Sequence, residues 1–135
     1  DNYTENYYKD LLDANKNIII SSPAISGQKV YELINMLKEK QASGVQITIV
    51  TWTPDSYGFG DAAYWMQLHE DMCKAGFYIK TVEESCERFA VIDQEVVWYG
   101  NINLLAKTKV DDSIMRVLSN EIAGELMEIT FGDNS

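Results

Sequence analysis

The chain contains few of the residues that build the common metal and redox centres. Among its 135 residues there are two cysteines, Cys73 and Cys86, and a single histidine, His69. Two cysteines at this spacing form neither a disulfide framework nor the ligand pattern of a zinc site. We therefore expect a reduced, cytoplasmic protein with no metal and no other cofactor.

Positive charge and long apolar runs are scarce as well. The 11 Lys and Arg residues are outnumbered by 21 Asp and Glu residues, which gives a net charge of −10, and no Lys/Arg-rich run appears. This charge opposes contact with nucleic acid phosphates and with anionic membranes. No apolar run has membrane length, and no signal peptide is visible. We therefore expect no membrane partner, and only weak binding of nucleic acid.

The hydrophobic content and the length of the chain predict one globular domain spanning residues 1–135. Hydrophobic residues make up 46% of the chain, and a chain of this length can bury a core without disulfides. The chain opens abruptly at a polar helix, which is typical of a domain excised from a longer protein.

Hydrophobic periodicity predicts helices that alternate with strands. The clearest helix covers residues 27–42, where Val30, Leu33, Ile34 and Leu37 recur at helical spacing. Apolar or alternating segments predict strands at 17–22, 45–51 and 77–82. The whole pattern predicts an α/β fold in the order αβαβαβββα, with helices on both faces of a mixed sheet whose early strands are parallel.

The stretch from Cys86 to Asn103 is the most distinctive part of the sequence. It reads Cys-Glu-Arg-Phe-Ala-Val-Ile-Asp-Gln-Glu-Val-Val-Trp-Tyr-Gly-Asn-Ile-Asn. Its two apolar segments, 88–92 and 96–99, predict buried strands, and the polar residues between them predict a turn. Gly100 closes the second strand at a place where tight backbone is needed.

This stretch resembles the signature of the phospholipase D superfamily, H-x-K-x4-D-x6-G-S-x-N. In register, the six signature positions are occupied by Cys86, Arg88, Asp93, Gly100, Asn101 and Asn103. The spacing of the signature is kept, but its histidine, lysine and serine are replaced. The segment 111–117 resembles the acidic strand start that follows the motif in this superfamily.

The resemblance implies a phospholipase D-like fold and a paired site. In this superfamily two motifs meet across a twofold axis, where one histidine attacks phosphorus and the other protonates the leaving group. A chain with a single motif is then expected to form a homodimer. The resemblance also implies a bacterial parent protein of the helicase or restriction type, which acts on DNA.

The resemblance makes Cys86, Arg88 and Asp93 the candidate catalytic positions, all in degenerate form. A thiol cannot replace imidazole as a general acid, and acidic neighbours disfavour its thiolate, so an inert, partly buried Cys86 is the simpler interpretation. Arg88 can hold a phosphate bidentately or form a salt bridge, for example to Asp93 or Glu87. Asp93 has no imidazole to orient, which favours a structural turn or an ion pair.

The polar residues after the second strand have two possible roles each. Asn101 and Asn103 can donate amide hydrogen bonds to a phosphate, or they can cap the turn after Gly100. Asp112 is expected at the same end of the sheet, either lining the site or as a solvated carboxylate. His69 lies mid-helix in step with apolar neighbours, which favours a histidine at the core edge over a displaced nucleophile.

We therefore expect a phospholipase D-like domain that has lost catalysis. It would act as a dimerisation and interaction module that retains weak binding of a phosphate-containing ligand. The alternative is an active, metal-independent phosphodiesterase or nuclease assembled as a homodimer. The residues alone leave open whether the chain is an enzyme.

Overall fold

The computed structural model describes residues 2–54, 62–83, 85–106 and 113–132. Within these ranges there are four helices, α1 (Asn2–Leu12), α2 (Gly27–Ala42), α3 (Ala62–Lys74) and α4 (Asn120–Phe131). The strands in the same ranges are β1 (Asn17–Ser21), β2 (Gln46–Trp52), β3 (Tyr78–Val82), β4 (Phe89–Ile92), β5 (Val96–Gly100) and β6 (Ile114–Leu118). None of these helices is long and apolar enough to cross a membrane.

The six strands form one mixed sheet in the order β3-β2-β1-β4-β5-β6. Strands β1, β2 and β3 are parallel, whereas β4 is antiparallel to β1, and β5 and β6 continue antiparallel. This arrangement confirms the predicted α/β fold with parallel early strands. Four strands follow α3, so the predicted order αβαβαβββα is one strand short.

The central strands β1 and β4 are buried on both faces. The side chains of Ile18, Ile19 and Ile20 in β1 are at most 5% exposed, and every residue of β4 is buried. Because helices cover both faces of the sheet, side chains that point to either face are buried away from water. This explains why both strands are continuously apolar and do not alternate with polar residues.

The helices are divided unequally between the two faces of the sheet. Side chains of α1, α2 and α3 pack on the face that carries Ile18, Ile20 and Trp98. Helix α4 packs on the opposite face, which carries Phe89 and Val97. We call these the three-helix face and the α4 face. The prediction of helices on both faces is therefore confirmed.

Because of the directions of the strands, the candidate site residues lie at two opposite edges of the sheet, where the strands begin and end. Strands β1, β2, β3 and β5 end, and β4 and β6 begin, at the same edge. We call this the motif edge, because Cys86, Arg88 and Gly100 lie there. The opposite edge, which we call the turn edge, carries the β4–β5 turn and Asp93.

Asp93 fastens the start of β1 from the turn edge. Its carboxylate accepts hydrogen bonds from the backbone N–H groups of Asn15, Lys16 and Asn17 at 2.7 to 3.1 Å. Asp93 and the next residue, Gln94, have φ values of 55° and 60°, which side chains with a Cβ adopt at a cost. The hydrogen bonds of the carboxylate offset part of that cost.

We expect Asp93→Ala to lower the free energy of unfolding by about 2 kcal/mol, because it removes the acceptor of three backbone donors. Urea denaturation followed by circular dichroism measures the change. Asp13→Ala is the control, since Asp13 forms an exposed pair with Lys9 at the surface of α1 and should change stability by less than about 1 kcal/mol. Equal losses in the two variants would contradict the fastening role.

Candidate phosphate-binding site

Cys86 lies at the motif edge, in the segment between β3 and β4. Its Sγ lies 3.6 Å from the Oγ of Ser21, which donates a hydrogen bond to the backbone oxygen of Glu87 at 2.6 Å. The thiol lines a small pocket of about 90 Å³, whose other walls include Val50, Val82, Ile129 and Thr130. Cys86 is therefore half-buried beneath the last turn of α4.

The surroundings of Cys86 keep its thiol protonated. Burial raises the pKa of the thiol and Glu87 adds to the rise, while the hydrogen bond to Ser21 and the charge of Arg88 act in the opposite direction without cancelling it. The C-terminal end of α4 brings partial negative charge to the same pocket, which also disfavours an anion. Because the thiolate is the nucleophilic form, Cys86 is a weak nucleophile at neutral pH.

Arg88 precedes β4 directly and is exposed. Its charge lowers the pKa of the Cys86 thiol, two residues earlier in the chain. Within the part of the chain that the structure describes, no carboxylate forms an ion pair with Arg88. The salt bridge to Asp93 that the sequence allowed is not formed, because Asp93 lies at the turn edge. The guanidinium therefore presents its donors to solvent.

Gly100 ends β5 where the backbone of β6 passes very close. A Cβ on Gly100 would collide with the backbone oxygen of Ser113 and would lie 2.8 Å from the Cα of Ile114. Any other residue would push the start of β6 away from β5. The glycine is thus required by this close approach of two backbones.

Asn101 and Asn103 hold the loops of the motif edge with their amide oxygens. The Oδ1 of Asn101 accepts a hydrogen bond from the N–H of Ser113 at 2.7 Å, and the Oδ1 of Asn103 accepts one from Ala24 at 3.4 Å. No described residue accepts a hydrogen bond from either Nδ2. The two roles left open by the sequence are therefore compatible, since the oxygen can cap a loop while the nitrogen donates to a ligand.

Two serines at the end of β1 organise this edge and were missed by sequence reasoning. The Oγ of Ser22 donates to the backbone oxygen of Ala24 at 2.7 Å and accepts from the N–H of Leu105 at 3.1 Å. These bonds join the loop after β1 to the loop after β5, and so place Asn103 beside Ala24. The available signal was the pair Ser21-Ser22 directly after an apolar strand.

The structure separates Asp93 from the other signature positions. Arg88 and Asp93 flank the four residues of β4, which span roughly 13 Å at about 3.3 Å per residue. Asp93 therefore cannot contact a ligand held at Cys86, and its hydrogen bonds serve the start of β1. Asp112 falls outside the described residues.

His69 does not replace the missing imidazole at the motif edge. It lies in α3, roughly 10 Å from the start of the helix at about 1.5 Å per residue. Its Nε2 is buried, with no hydrogen-bond partner among the described residues, and burial lowers the pKa of the imidazole. These features are those of a histidine at the core edge.

The motif edge therefore combines hydrogen-bond donors with a thiol whose pKa is raised. Arg88, Asn101 and Asn103 can hold an anion, whereas no described residue at this edge supplies an imidazole to attack phosphorus or to protonate a leaving group. Within the described ranges, no group of three His, Cys, Asp or Glu side chains could hold a metal ion.

The sequence matches one family over most of its length. Residues 7–130 match the family model described as cardiolipin synthase, PLD-like domain, where PLD denotes phospholipase D. This range contains the whole segment from Cys86 to Asn103. No curated protein sequence matches the chain.

Several solved structures resemble the chain in fold, NucT and TrmBL2 among them. NucT from Helicobacter pylori is 10% identical, with a TM-score of 0.62 over 93% of this chain and 82% of the NucT chain. TrmBL2, an archaeal chromatin protein whose structure is described as showing a novel mode of DNA binding, is 13% identical, with a TM-score of 0.63 over 95% of this chain. The chain spans 46% of the TrmBL2 chain. At these identities the likeness concerns the fold alone.

Proposed function

Because the chain belongs to the family of phospholipase D-like domains, we propose that it binds phosphate groups at the motif edge without cleaving phosphodiesters. The family match confirms the resemblance that the segment from Cys86 to Asn103 predicted. One observation carries the proposal. The motif edge keeps donors for a phosphate, but the signature's nucleophile position holds a half-buried thiol with a raised pKa.

A thiol at the nucleophile position does not suit the chemistry by which this superfamily cleaves phosphodiesters. The superfamily uses one imidazole as nucleophile and a second as general acid, and both tasks require a pKa near the working pH. Cys86 stays a thiol, which is a weak nucleophile. The only histidine, His69, lies within α3, so a second copy of the chain would add only a second His69 and no imidazole at the signature position.

Three side chains support the binding of a phosphate. The exposed guanidinium of Arg88 can contact two phosphate oxygens at once. Asn101 and Asn103 engage their Oδ1 atoms within the protein and can donate from Nδ2. A phosphate held by one cation on a chain of net charge −10 binds weakly and is displaced by salt.

We propose single-stranded nucleic acid as the phosphate-bearing ligand. DNA binding is described for TrmBL2, which shares the fold. The resemblance of the signature segment favours a parent protein that acts in DNA processing, of the helicase or restriction type. A single strand suits the site because its flexible backbone can deliver one phosphodiester to a small donor group. A duplex would bring a second charged strand towards an acidic surface.

Arg88→Gln tests the donor group directly. We expect this variant to bind a fluorescein-labelled single-stranded DNA at low salt about tenfold more weakly, because it loses a charge-assisted hydrogen bond to phosphate. The slope of log affinity against log salt concentration should become shallower by about 0.7, the value for one phosphate contact on a single strand. Fluorescence anisotropy measures both quantities.

Lys38→Gln is the matched control for the loss of one positive charge. Lys38 is exposed on α2, away from the motif edge, so its affinity and salt slope should stay close to those of the natural chain. Inorganic phosphate, added as a competitor, should displace the DNA if the phosphate is what is recognised. Equal losses in the Arg88 and Lys38 variants would show that only net charge matters and would contradict the site.

We further propose that the chain forms a homodimer through the α4 face beside the motif edge. Tyr99 and Met115 are cross-strand neighbours in β5 and β6, on the face that carries Phe89 and Val97. They are 39% and 52% exposed. A symmetric contact between the motif edges of two chains would bury these exposed apolar side chains.

Met115→Glu should shift the chain from dimer to monomer, because it places a charge in the centre of the proposed contact. Met66→Glu is the control, since Met66 is 58% exposed on α3 and should leave the dimer intact. Analytical ultracentrifugation measures the change. Association should strengthen with added salt, which screens the repulsion between two chains of net charge −10. A natural chain that stays monomeric at all salt concentrations would contradict the homodimer.

A further inference from the structure

The last turn of α4, residues 129–131, covers the pocket that contains the Cys86 thiol. Helix α4 begins at the turn edge, where Asn120 and Asp93 line a common cleft. It crosses the α4 face and ends at the motif edge, where Ile129 and Thr130 form part of the wall around Cys86. A reagent that approaches the half-buried thiol from this side meets the last turn first.

The part of α4 after Gly124 is held by few buried contacts, since Leu126 and Met127 pack against the α4 face only partly buried. In α4 only Ala123 is fully buried, whereas α2 buries four residues, Gly27, Val30, Leu33 and Leu37. Within the last turn, the side chains of Ile129 and Phe131 are 69% and 43% exposed. A helix end with so little buried apolar surface opens locally at a small cost in free energy.

The sequence of α4 also weakens its C-terminal half. Gly124 lies in the middle of the helix, although a Cβ there would meet no atom within 4 Å, so packing within the described residues does not demand a glycine. Glycine lowers helix propensity at such a position. The last turn contains no basic residue, and Glu128 lies close to the negative end of the helix dipole.

From these contacts we propose that residues 125–131 form a hinged cover, which opens at Gly124 and controls access to the motif edge at Cys86. The cover is closed in this structure, with Ile129 and Thr130 over the thiol. The proposal goes beyond the proposed function, because it concerns the thiol at the nucleophile position and leaves the exposed Arg88 open to a phosphate. Opening is measured without any phosphate ligand, so the two proposals can fail separately.

The reaction of Cys86 with Ellman's reagent measures the opening. The exposed Cys73 is first replaced in the variant Cys73→Ser, so that a single thiol reports. In this background Gly124→Ala should slow the reaction of Cys86 about fivefold. Alanine favours the helix over glycine by about 1 kcal/mol, which lowers the population of the open form by about that factor. The rate should depend only weakly on low urea concentrations, since a local opening exposes little surface.

Asn35→Ala is the control for a general gain in stability. Asn35 is exposed in the middle of α2, so alanine stabilises the whole fold without acting on α4. It should leave the reaction rate of Cys86 unchanged. The proposal is overturned if Gly124→Ala has no effect, if both variants slow the reaction equally, or if the rate follows global unfolding in urea. A Cys86 thiol that reacts as fast as a free thiol would show that no cover exists.

Discussion

The register of the three central strands is the constraint on which the motif edge depends. Ser21, Phe89 and Tyr99 lie side by side in β1, β4 and β5, so the residues just before Phe89 meet the end of β1 and the end of β5. A slip of one residue would turn every side chain of β4 to the other face of the sheet. Burial of β1 and β4 on both faces makes such a slip costly, and this holds Arg88 near Gly100.

The signature positions are divided between the two ends of the same strands. At the turn edge, Asp93 binds the backbone at the start of β1 and so helps to fix the register. At the motif edge, Gly100 allows β6 to approach β5, and Asn101 and Asn103 hold the neighbouring loops. These roles are structural, and they persist although the nucleophile position is filled by Cys86. None of these roles requires an imidazole at position 86.

Patterns of neighbouring residues in the sequence predicted most of the fold. They did not predict the contacts between segments that are distant in the sequence. The stripe of Val30, Leu33 and Leu37 predicted α2, and the spacing of the signature predicted the β4–β5 hairpin, because both depend on neighbours in sequence. The position of Asp93 away from Cys86 follows from the direction of β4, which spacing alone does not reveal. The sequence likewise gave no sign that α4 returns across the sheet to cover Cys86, since that depends on packing.

Hydrolysis of bis(p-nitrophenyl) phosphate in the presence of a chelator decides whether the proposed site binds phosphate without cleaving phosphodiesters. The natural chain is compared with Cys86→Ala and with the double variant Cys86→His, Arg88→Lys, which restores two signature residues. We expect the natural chain and Cys86→Ala both to match buffer, and only the double variant to gain activity. Turnover by the natural chain that Cys86→Ala abolishes would contradict the account and make Cys86 a nucleophile.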